Sequence, residues 1–347
     1  MLLTYKVKHN KDFTAELKKA RQVAEFGVKH KTVSSKDVKQ FGLKSAISVS
    51  ILWKYVRNKN IKHVKNVKLE INSQSIKFNC EKRTIHIVPL KFEFNYWFRN
   101  DFNKINWIEI DSEYVYITVT VPDEKPVEPA YYIGVDLNAT GHMAVVSNPQ
   151  TGKVMKLGKK AGHIHNKYKN IRRRLQKKKK YKALKKIKHR ESNIIRDLNH
   201  KISRKIVDEA KKSGAGIKLE DLRGIRQKKN KKTNKRFRYS LNSWAFYQLQ
   251  TMIEYKSKLL GVPVVYVAPQ YTSQICSRCG HMGNRNGKVF KCPVCGHVDN
   301  ADVNAAFNIA LRPSDYQLRT DRDVRKGSTA PPHGAIPDMS ETPKPFR

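Results

Sequence analysis

The sequence predicts an α+β protein of more than one domain. An N-terminal set of antiparallel strands, interrupted by helices, precedes an α/β domain that carries a cysteine module. Three observations predict this. Period-2 alternation runs from 66 to 121, as VKLEI, SIKFN, RTIHIV, KFEFNYW, NWIEI and EYVYITVTV, and alternation of this kind marks strands with one buried face. PDEKPVEPA (122–130) then places three prolines in nine residues, which sustains neither a ladder nor a helix and marks a domain boundary. Beyond it, short apolar runs alternate with helical stretches, the pattern of an α/β domain.

The N-terminal elements follow in order. Residues 2–8 read as a strand and 11–26 as a helix, with Phe13, Leu17, Ala20 and Val23 at helical spacing. Residues 33–58 predict two short helices around Gly42. They read either as a groove-reading helix-turn-helix or, preferably, as helices that close a small domain. The alternating runs after them predict a meander or small barrel. Cys80 stands alone in this region and is expected to be a packed thiol.

In the second part, YYIGVD (131–136), HMAVVS (142–147) and KVMKLG (153–158) are sequential strands, the last two joined by NPQTG. A helical stretch covers 164–212, and GIKLED (216–221) is the next strand. The helix at 243–260 has Ala245, Leu249, Met252, Ile253, Lys256 and Leu260 on one face and Gly261 as its stop. PVVYVAP (263–269) reads as a buried strand, and a short final helix begins near 301. The order β-β-β-α-β-α-β plus a helix suits a mixed sheet whose first and fourth strands are neighbours. Residues 312–347 hold six prolines and little periodicity, so that tail is expected to be disordered.

Charge narrows the function. The 347 residues include 71 Lys plus Arg against 29 Asp plus Glu, a formal net charge of +42, and 39% are hydrophobic, enough for a core. So basic a globular chain suits a polyanionic partner, nucleic acid first and an acidic membrane surface second. No run approaches the roughly 18–20 apolar residues that cross a bilayer. The start, MLLTYKVKHNKDF, lacks the apolar core and cleavage site of a signal peptide. Five cysteines, an odd number, fit a disulfide scaffold poorly. The expectation is a cytoplasmic protein.

Basic residues are concentrated in two runs. From Lys167 to Arg190, fourteen of twenty-four residues are Lys or Arg and none is acidic. Ile164, just before this stretch, then Tyr168, Ile171 and Leu175, and Tyr181 and Leu184 within it, recur at helical spacing. A solvated helix face normally mixes both signs, whereas one-sign crowding suits a phosphate backbone. Lys169, Arg172, Arg173, Arg174, Lys177, Lys178, Lys179 and Lys180 are candidate nucleic-acid contacts. RQKKNKKTNKRFR (226–238) adds eight more basic residues and reads as a loop near the site.

Cys276-x2-Cys279 and Cys292-x2-Cys295, with twelve residues between the pairs, have the spacing of a structural zinc site. Each pair turns two thiolates toward one point, and four cysteines leave no open coordination position. Two disulfides, or four ordinary thiols, are the alternative.

Three acids stand out in the basic background. Asp136 and Glu220 each close an apolar strand. Singly, each is also what a strand's exit into water looks like, but the expected sheet makes the two strands neighbours. Carboxylates brought together repel unless a divalent cation neutralises them, and oxygen ligands suit Mg²⁺. A pair of such ions serves phosphodiester cleavage. A third ligand comes from VDNADVNAA (298–306). With Asn300 as N-cap, Ala301 is N1 and Asp302 is N2, on one face with Ala306 and Ile309. Small Ala305 and Ala306 would allow close approach to the sheet. Asp299 falls before the cap and is the expected bystander. A favourable interaction with the helix dipole is the plainer account of Asp302.

GVDLN (134–138), KLEDL (218–222), TSQICSRCG (272–280), CPVCG (292–296) and DNADVNAAFNI (299–309) occur in this order. With these motifs the chain resembles the TnpB family, the OrfB-type proteins of insertion sequences, and more distantly the compact type V CRISPR effectors. The resemblance is specific from about 131 to 311 and weak over 1–128. It implies a wedge β-barrel over 1–128 with a helical recognition insertion (about 10–62). An RNase H-like (RuvC) nuclease domain over 129–311 would follow, with a zinc-ribbon insertion at 270–298 that binds target nucleic acid. It further implies that Asp136, Glu220 and Asp302 are the catalytic acids and hold two Mg²⁺, and that the four cysteines hold one Zn²⁺. Many relatives carry acid-Arg-Asp before the asparagine, where this chain has Asn300-Ala301-Asp302, leaving the third acid intact. The implied partners are a transposon-derived guide RNA and double-stranded DNA, cut beside a short transposon-adjacent motif. A monomer is expected, with a dimer as the alternative.

Three other functions compete with this expectation. A nuclease-inactive RNA-guided regulator would have lost acids that are all present here. A strand-transfer transposase also uses three carboxylates on an RNase H fold, but a zinc ribbon between the second and third acids suits the guided nucleases better. A transcription factor acting through residues 33–58 leaves the acids and cysteines unexplained.

Overall fold

The computed structural model describes residues 1–58, 60–222 and 246–313. The chain divides into two compact units, Met1–Asp123 and Glu124–Arg347. The basic segment 226–238, Ala245 and all but the first two residues of the 312–347 tail lie outside the described residues.

In the first unit, β1 (Leu2–Lys8), β7 (Tyr114–Thr120), β6 (Lys104–Ile110) and β2 (Leu69–Asn72) form an antiparallel sheet in the order β1-β7-β6-β2. Alternation fixes its faces. Leu69, Ile71, Ile108, Ile110, Val115, Ile117 and Val119 point inward and are buried. The next three alternating runs form a second antiparallel sheet, β3 (Ile76–Asn79), β4 (Thr84–Ile87) and β5 (Phe92–Asn95). The alternating runs, expected as a meander or small barrel, thus divide between two hydrogen-bonded sheets. The break has a local cause: Asn72 Oδ1 accepts from Ser75 N at 3.2 Å and caps a 3₁₀ turn, Ser73–Ser75, between β2 and β3. Cys80 is not packed. It lies in the β3–β4 turn and is exposed.

Between β1 and β2 the chain forms α1 (Thr14–His30), a 3₁₀ turn at Lys36–Phe41 and α2 (Ser45–Val56). Ile47, Ser48, Ile51 and Leu52 of α2 are buried, and the helix packs on α1 and β2. Its apolar face thus closes this unit, as the second reading of residues 33–58 expects. Lys54 of α2 pairs with Glu70 of β2 and with Glu109 of β6, the latter at 2.7 Å. Those two glutamates face each other across the β2–β6 ladder. Like charges directly opposite are unfavourable, and the lysine between them offsets this.

The second unit is built on a five-stranded mixed sheet in the order β10-β9-β8-β11-β12. Its strands are β8 (Tyr132–Leu137), β9 (Ala144–Ser147), β10 (Val154–Leu157), β11 (Gly216–Glu220) and β12 (Val264–Val267). β8 and β11, the first and fourth strands, are parallel neighbours as the topology predicts. β12 is an edge strand, with Tyr266 exposed and Val264 and Val265 half-buried, and so is less buried than its apolar sequence suggests.

The helical stretch 164–212 is three helices, α3 (Lys160–Lys177), α4 (Tyr181–Ile187) and α5 (Arg190–Lys212). The first break falls in the lysine run, where Lys179 takes a left-handed φ of 51° and like charges four residues apart, Arg173 with Lys177 and Arg174 with Lys178, weaken the helix. α5 packs against α6 (Phe246–Leu259), with Ile195, Ile202, Ile206, Leu249 and Ile253 in one core. Lys256, on the apolar face of α6, is buried. Its Nζ donates to His200 O at 2.6 Å and Ser203 Oγ at 2.7 Å, and burial pushes the amine down to about 8.

β13 (Asn284–Asn286), β14 (Val289–Lys291) and β15 (Val298–Asn300) form a small antiparallel sheet within the cysteine module. The final helix, α7 (Ala301–Leu311), packs on β8, β9 and β11. No described helix is long and apolar enough to cross a membrane.

Candidate active site and metal centre

The β8–β11 register pairs Gly134 with Lys218 and Val135 with Leu219. One step further, it brings Asp136 and Glu220 to the same level at the carboxyl ends of two parallel strands. Strands in a sheet lie about 4.8 Å apart, and the carboxyl ends of parallel strands are where α/β sheets place ligands.

Asp302 comes from α7. Asn300 caps this helix, its side chain accepting from Asp302 N at 3.0 Å, so Asp302 is N2 as the sequence predicts. The helix lies very close to β8. A Cβ on Gly134 would come within 2.0 Å of Ala306 O and 2.5 Å of Ala310 N, so only glycine admits the helix at this distance. Ala306 and Ile309 are fully buried beneath it.

The three acids share one electrostatic neighbourhood. Asp136 is buried, and its carboxyl is held well above the usual range, first by burial and then by the charge of Glu220. Asn138, donating to Asp136 Oδ2 at 2.8 Å, works the other way, while the charge of Asp302 adds to the rise and Lys288 opposes it. Asp302 Oδ1 is buried and has no hydrogen-bond donor among the described residues. A buried carboxylate oxygen in that condition suits a cation.

Three further side chains, none of them evident from the sequence, complete the site. Lys288, in the β13–β14 turn, donates to Asp302 Oδ2 at 2.6 Å and reaches Asn138 Oδ1 and Thr140 O, each at 3.4 Å. Arg285 lies 3.6 Å from Asp302 Oδ1. Thr272 donates to Glu220 Oε1 at 2.5 Å. Asp299 faces elsewhere: its carboxylate accepts from Asn300 N at 2.6 Å and lies 3.8 Å from His297.

The four cysteines form a compact cluster. Their ligand atoms all lie within 4.8 Å of one another, with Cys276 and Cys295 sulfurs 3.6 Å apart and Cys279 and Cys292 sulfurs 3.5 Å apart. A tetrahedral ion with Zn–S bonds of about 2.3 Å separates its sulfurs by about 3.8 Å. The two knuckles repeat one geometry. Gly280 N donates to Cys276 O at 3.0 Å and Gly296 N to Cys292 O at 3.2 Å, with φ of 74° and 69°. Backbone N–H groups aimed at Cys292, that of Cys295 first, lower its thiol to about 6, whereas burial raises the thiols of Cys276 and Cys279, so without an ion the cluster does not hold four thiolates. None of the four is joined in a disulfide, and their sulfur separations are far longer than the about 2.05 Å of an S–S bond.

The first basic run occupies α3 and the segment after it. Ile164, Tyr168, Ile171 and Leu175 form its half-buried side, whereas Lys169, Arg173, Arg174 and Lys177 to Lys180 are exposed. Arg172 differs. It is half-buried and paired with Glu191 of α5, which also meets His165 Nδ1 at 2.6 Å. Arg172 therefore braces α3 against α5, a tie that helical spacing alone does not reveal.

Comparison with known proteins gives this geometry a context. Residues 246–309 match a family model described as Cas12f1-like, TNB domain. The chain is 35% identical over 212 residues to the TnpB-like protein MJ0751 of Methanocaldococcus jannaschii, a match that covers 57% of this chain and 76% of that protein. It is 44% identical over 137 residues to the CRISPR-associated endodeoxyribonuclease Cas12f1 of Sulfoacidibacillus thermotolerans, covering 38% of this chain but only 31% of that protein's length. Among solved structures, the cryo-EM structure of a Cas12f1–sgRNA–target DNA complex superposes with a TM-score of 0.60 over 86% of this chain and 82% of that one. At 18% identity, that likeness shows a shared α+β multidomain fold.

Proposed function

Because the chain belongs to the family of TnpB-like proteins, we propose that it is an RNA-guided DNA endonuclease. It binds a guide RNA and cleaves double-stranded DNA beside a short adjacent motif, by metal-dependent hydrolysis. The observation that carries this reading is the convergence of Asp136, Glu220 and Asp302, where burial first, and then the charges of Glu220 and Asp302, hold the Asp136 carboxyl up. The strand order β10-β9-β8-β11-β12, with acids on adjacent parallel strands and on the last helix, supports an RNase H-like (RuvC) domain.

In this reading Asp136, Glu220 and Asp302 hold two Mg²⁺ ions. Bound there, such a pair activates a water and stabilises the leaving oxygen of a phosphodiester. The chain's own residues prepare the site. Asn138 holds Asp136 by one oxygen, Thr272 holds Glu220, and the N-terminus of α7 favours the charge on Asp302. Lys288 and Arg285 bring positive charge to the same edge, where a phosphate backbone is drawn in. Cys276, Cys279, Cys292 and Cys295 hold one structural Zn²⁺. The exposed basic residues around Lys169–Lys180 line a path for nucleic acid. Retention of all three acids counts against a nuclease-inactive regulator.

The test is to sequence the RNA that co-purifies with the protein. A discrete species with a constant scaffold and a variable end is the expected result. Random fragments alone would contradict RNA guidance.

A further inference from the structure

The cysteine module is stitched to the acids by buried polar side chains that packing alone does not require. Thr272 lies between β12 and the first knuckle and is 3% exposed. Its hydroxyl donates to Glu220 Oε1 at 2.5 Å, closer than its 3.2 Å approach to Pro269 O, so the single proton goes to the carboxylate. Its carbonyl accepts from Asn308 Nδ2 at 2.7 Å.

Asn304 makes the second connection. It is fully buried in α7, two residues after Asp302. Its Oδ1 accepts from Ser277 N at 2.9 Å, and its Nδ2 donates to Ile275 O at 2.7 Å. Ile275 and Ser277 flank Cys276 in the chain, so one amide grips the first knuckle on both sides of a metal-ligating cysteine. Asn308, one turn on, donates to the same Ile275 O at 2.7 Å. A buried asparagine is costly unless its hydrogen bonds are made. These bonds are made only while the knuckle keeps its shape, and bound metal is what holds that shape. On the far side of the module, Ala301 N donates to Lys288 O at 2.9 Å, beside the Lys288–Asp302 pair.

We propose that Thr272 and Asn304 are positioning residues through which the occupied cysteine centre sets the geometry of Glu220 and Asp302, so that zinc binding and divalent-cation binding at the acids are linked. The inference rests on the acids holding a divalent cation, as proposed above. Linkage is reciprocal: whatever factor zinc contributes to cation affinity, the cation returns to zinc affinity.

The test uses the full chain, freed of nucleic acid, with Mn²⁺ as the probe cation followed by electron paramagnetic resonance and zinc content measured by elemental analysis. Thr272→Val keeps its zinc and binds Mn²⁺ about tenfold more weakly, while Thr272→Ser stays within about twofold of the wild type, the scale expected for outer-shell partners of a ligand. Zinc-stripped wild type shows the same weakening as Thr272→Val, and saturating Mn²⁺ slows zinc extraction by a chelator. Asn304→Ala loses zinc to the chelator more readily than the wild type. Wild-type Mn²⁺ affinity in both Thr272→Val and the zinc-stripped chain would overturn the coupling alone. No Mn²⁺ binding by the zinc-loaded wild type would overturn the acid-centre reading and the coupling with it.

Discussion

Lys288 Nζ donates to Asp302 Oδ2 across 2.6 Å. This hydrogen bond joins a turn of the cysteine module to the first turn of α7, while Asp302 Oδ1 stays buried with no donor among the described residues. One oxygen of the carboxylate thus takes a hydrogen bond from Lys288, while the other has only the guanidinium of Arg285 at 3.6 Å and keeps its lone pairs open to a cation.

Asp136 makes that availability pH-dependent. Its carboxyl is held well above the usual range by burial and by Glu220. As pH rises, the unfolded chain loses this proton first, so the native state binds more protons and the metal-free protein loses stability until the raised value is passed. A divalent cation favours the ionised form and reverses the trend. Melting temperatures recorded against pH, with and without Mg²⁺, should show stabilisation by Mg²⁺ that grows as pH rises above the usual carboxylate range. Stabilisation independent of pH would contradict this account.

Gly134 tests the close approach of α7. Gly134→Ala forces a methyl group to within 2.0 Å of Ala306 O, and overpacking of this kind costs about 2–3 kcal/mol. The expected fall in melting temperature is roughly 5–10 °C. An unchanged melting temperature would mean that the helix is not held against β8.

Glu70, in the first unit, is pushed up to about 7, first by burial, with Lys54 opposing and Glu109 adding to the rise. The sign matches that of Asp136: this group's contribution worsens between its ordinary value of 4.5 and about 7. Glu70→Gln should therefore gain stability relative to the wild type as pH rises through that window. A constant difference in denaturation midpoint would refute it.

The exposed lysines at the end of α3 and just beyond it test the proposed nucleic-acid path. Replacing Lys177, Lys178, Lys179 and Lys180 by Gln should weaken duplex binding and flatten its salt dependence. Each phosphate that the variant no longer neutralises reduces the log–log slope by about 0.9. Equal slopes for variant and wild type would remove this run from the interface.

Much of this site is legible in the sequence because its signals are local. The CxxC spacing, the Asn300 cap and the apolar strands that end in Asp136 and Glu220 each lie within a few residues. The pairing of β8 with β11 follows from element order alone. Lys288, Thr272 and Arg285 escape such a reading because each acts on an acid carried by another element. The same holds for Arg172, whose partner Glu191 lies 19 residues on. The division of the first unit's strands falls at a 3₁₀ turn capped by Asn72, and periodicity carries no trace of it. The edge position of β12 is set by sheet order and not by its apolar composition.

The most direct test of the central claim is Mg²⁺-dependent cleavage of a guide-matched plasmid by three proteins: wild type, Asp302→Ala and Asp299→Ala. In the proposed function Asp302 closes the acid centre, whereas Asp299 lies beside His297. The account predicts cleavage by the wild type, most of that activity in Asp299→Ala and none in Asp302→Ala. Cleavage that survives in Asp302→Ala would contradict it.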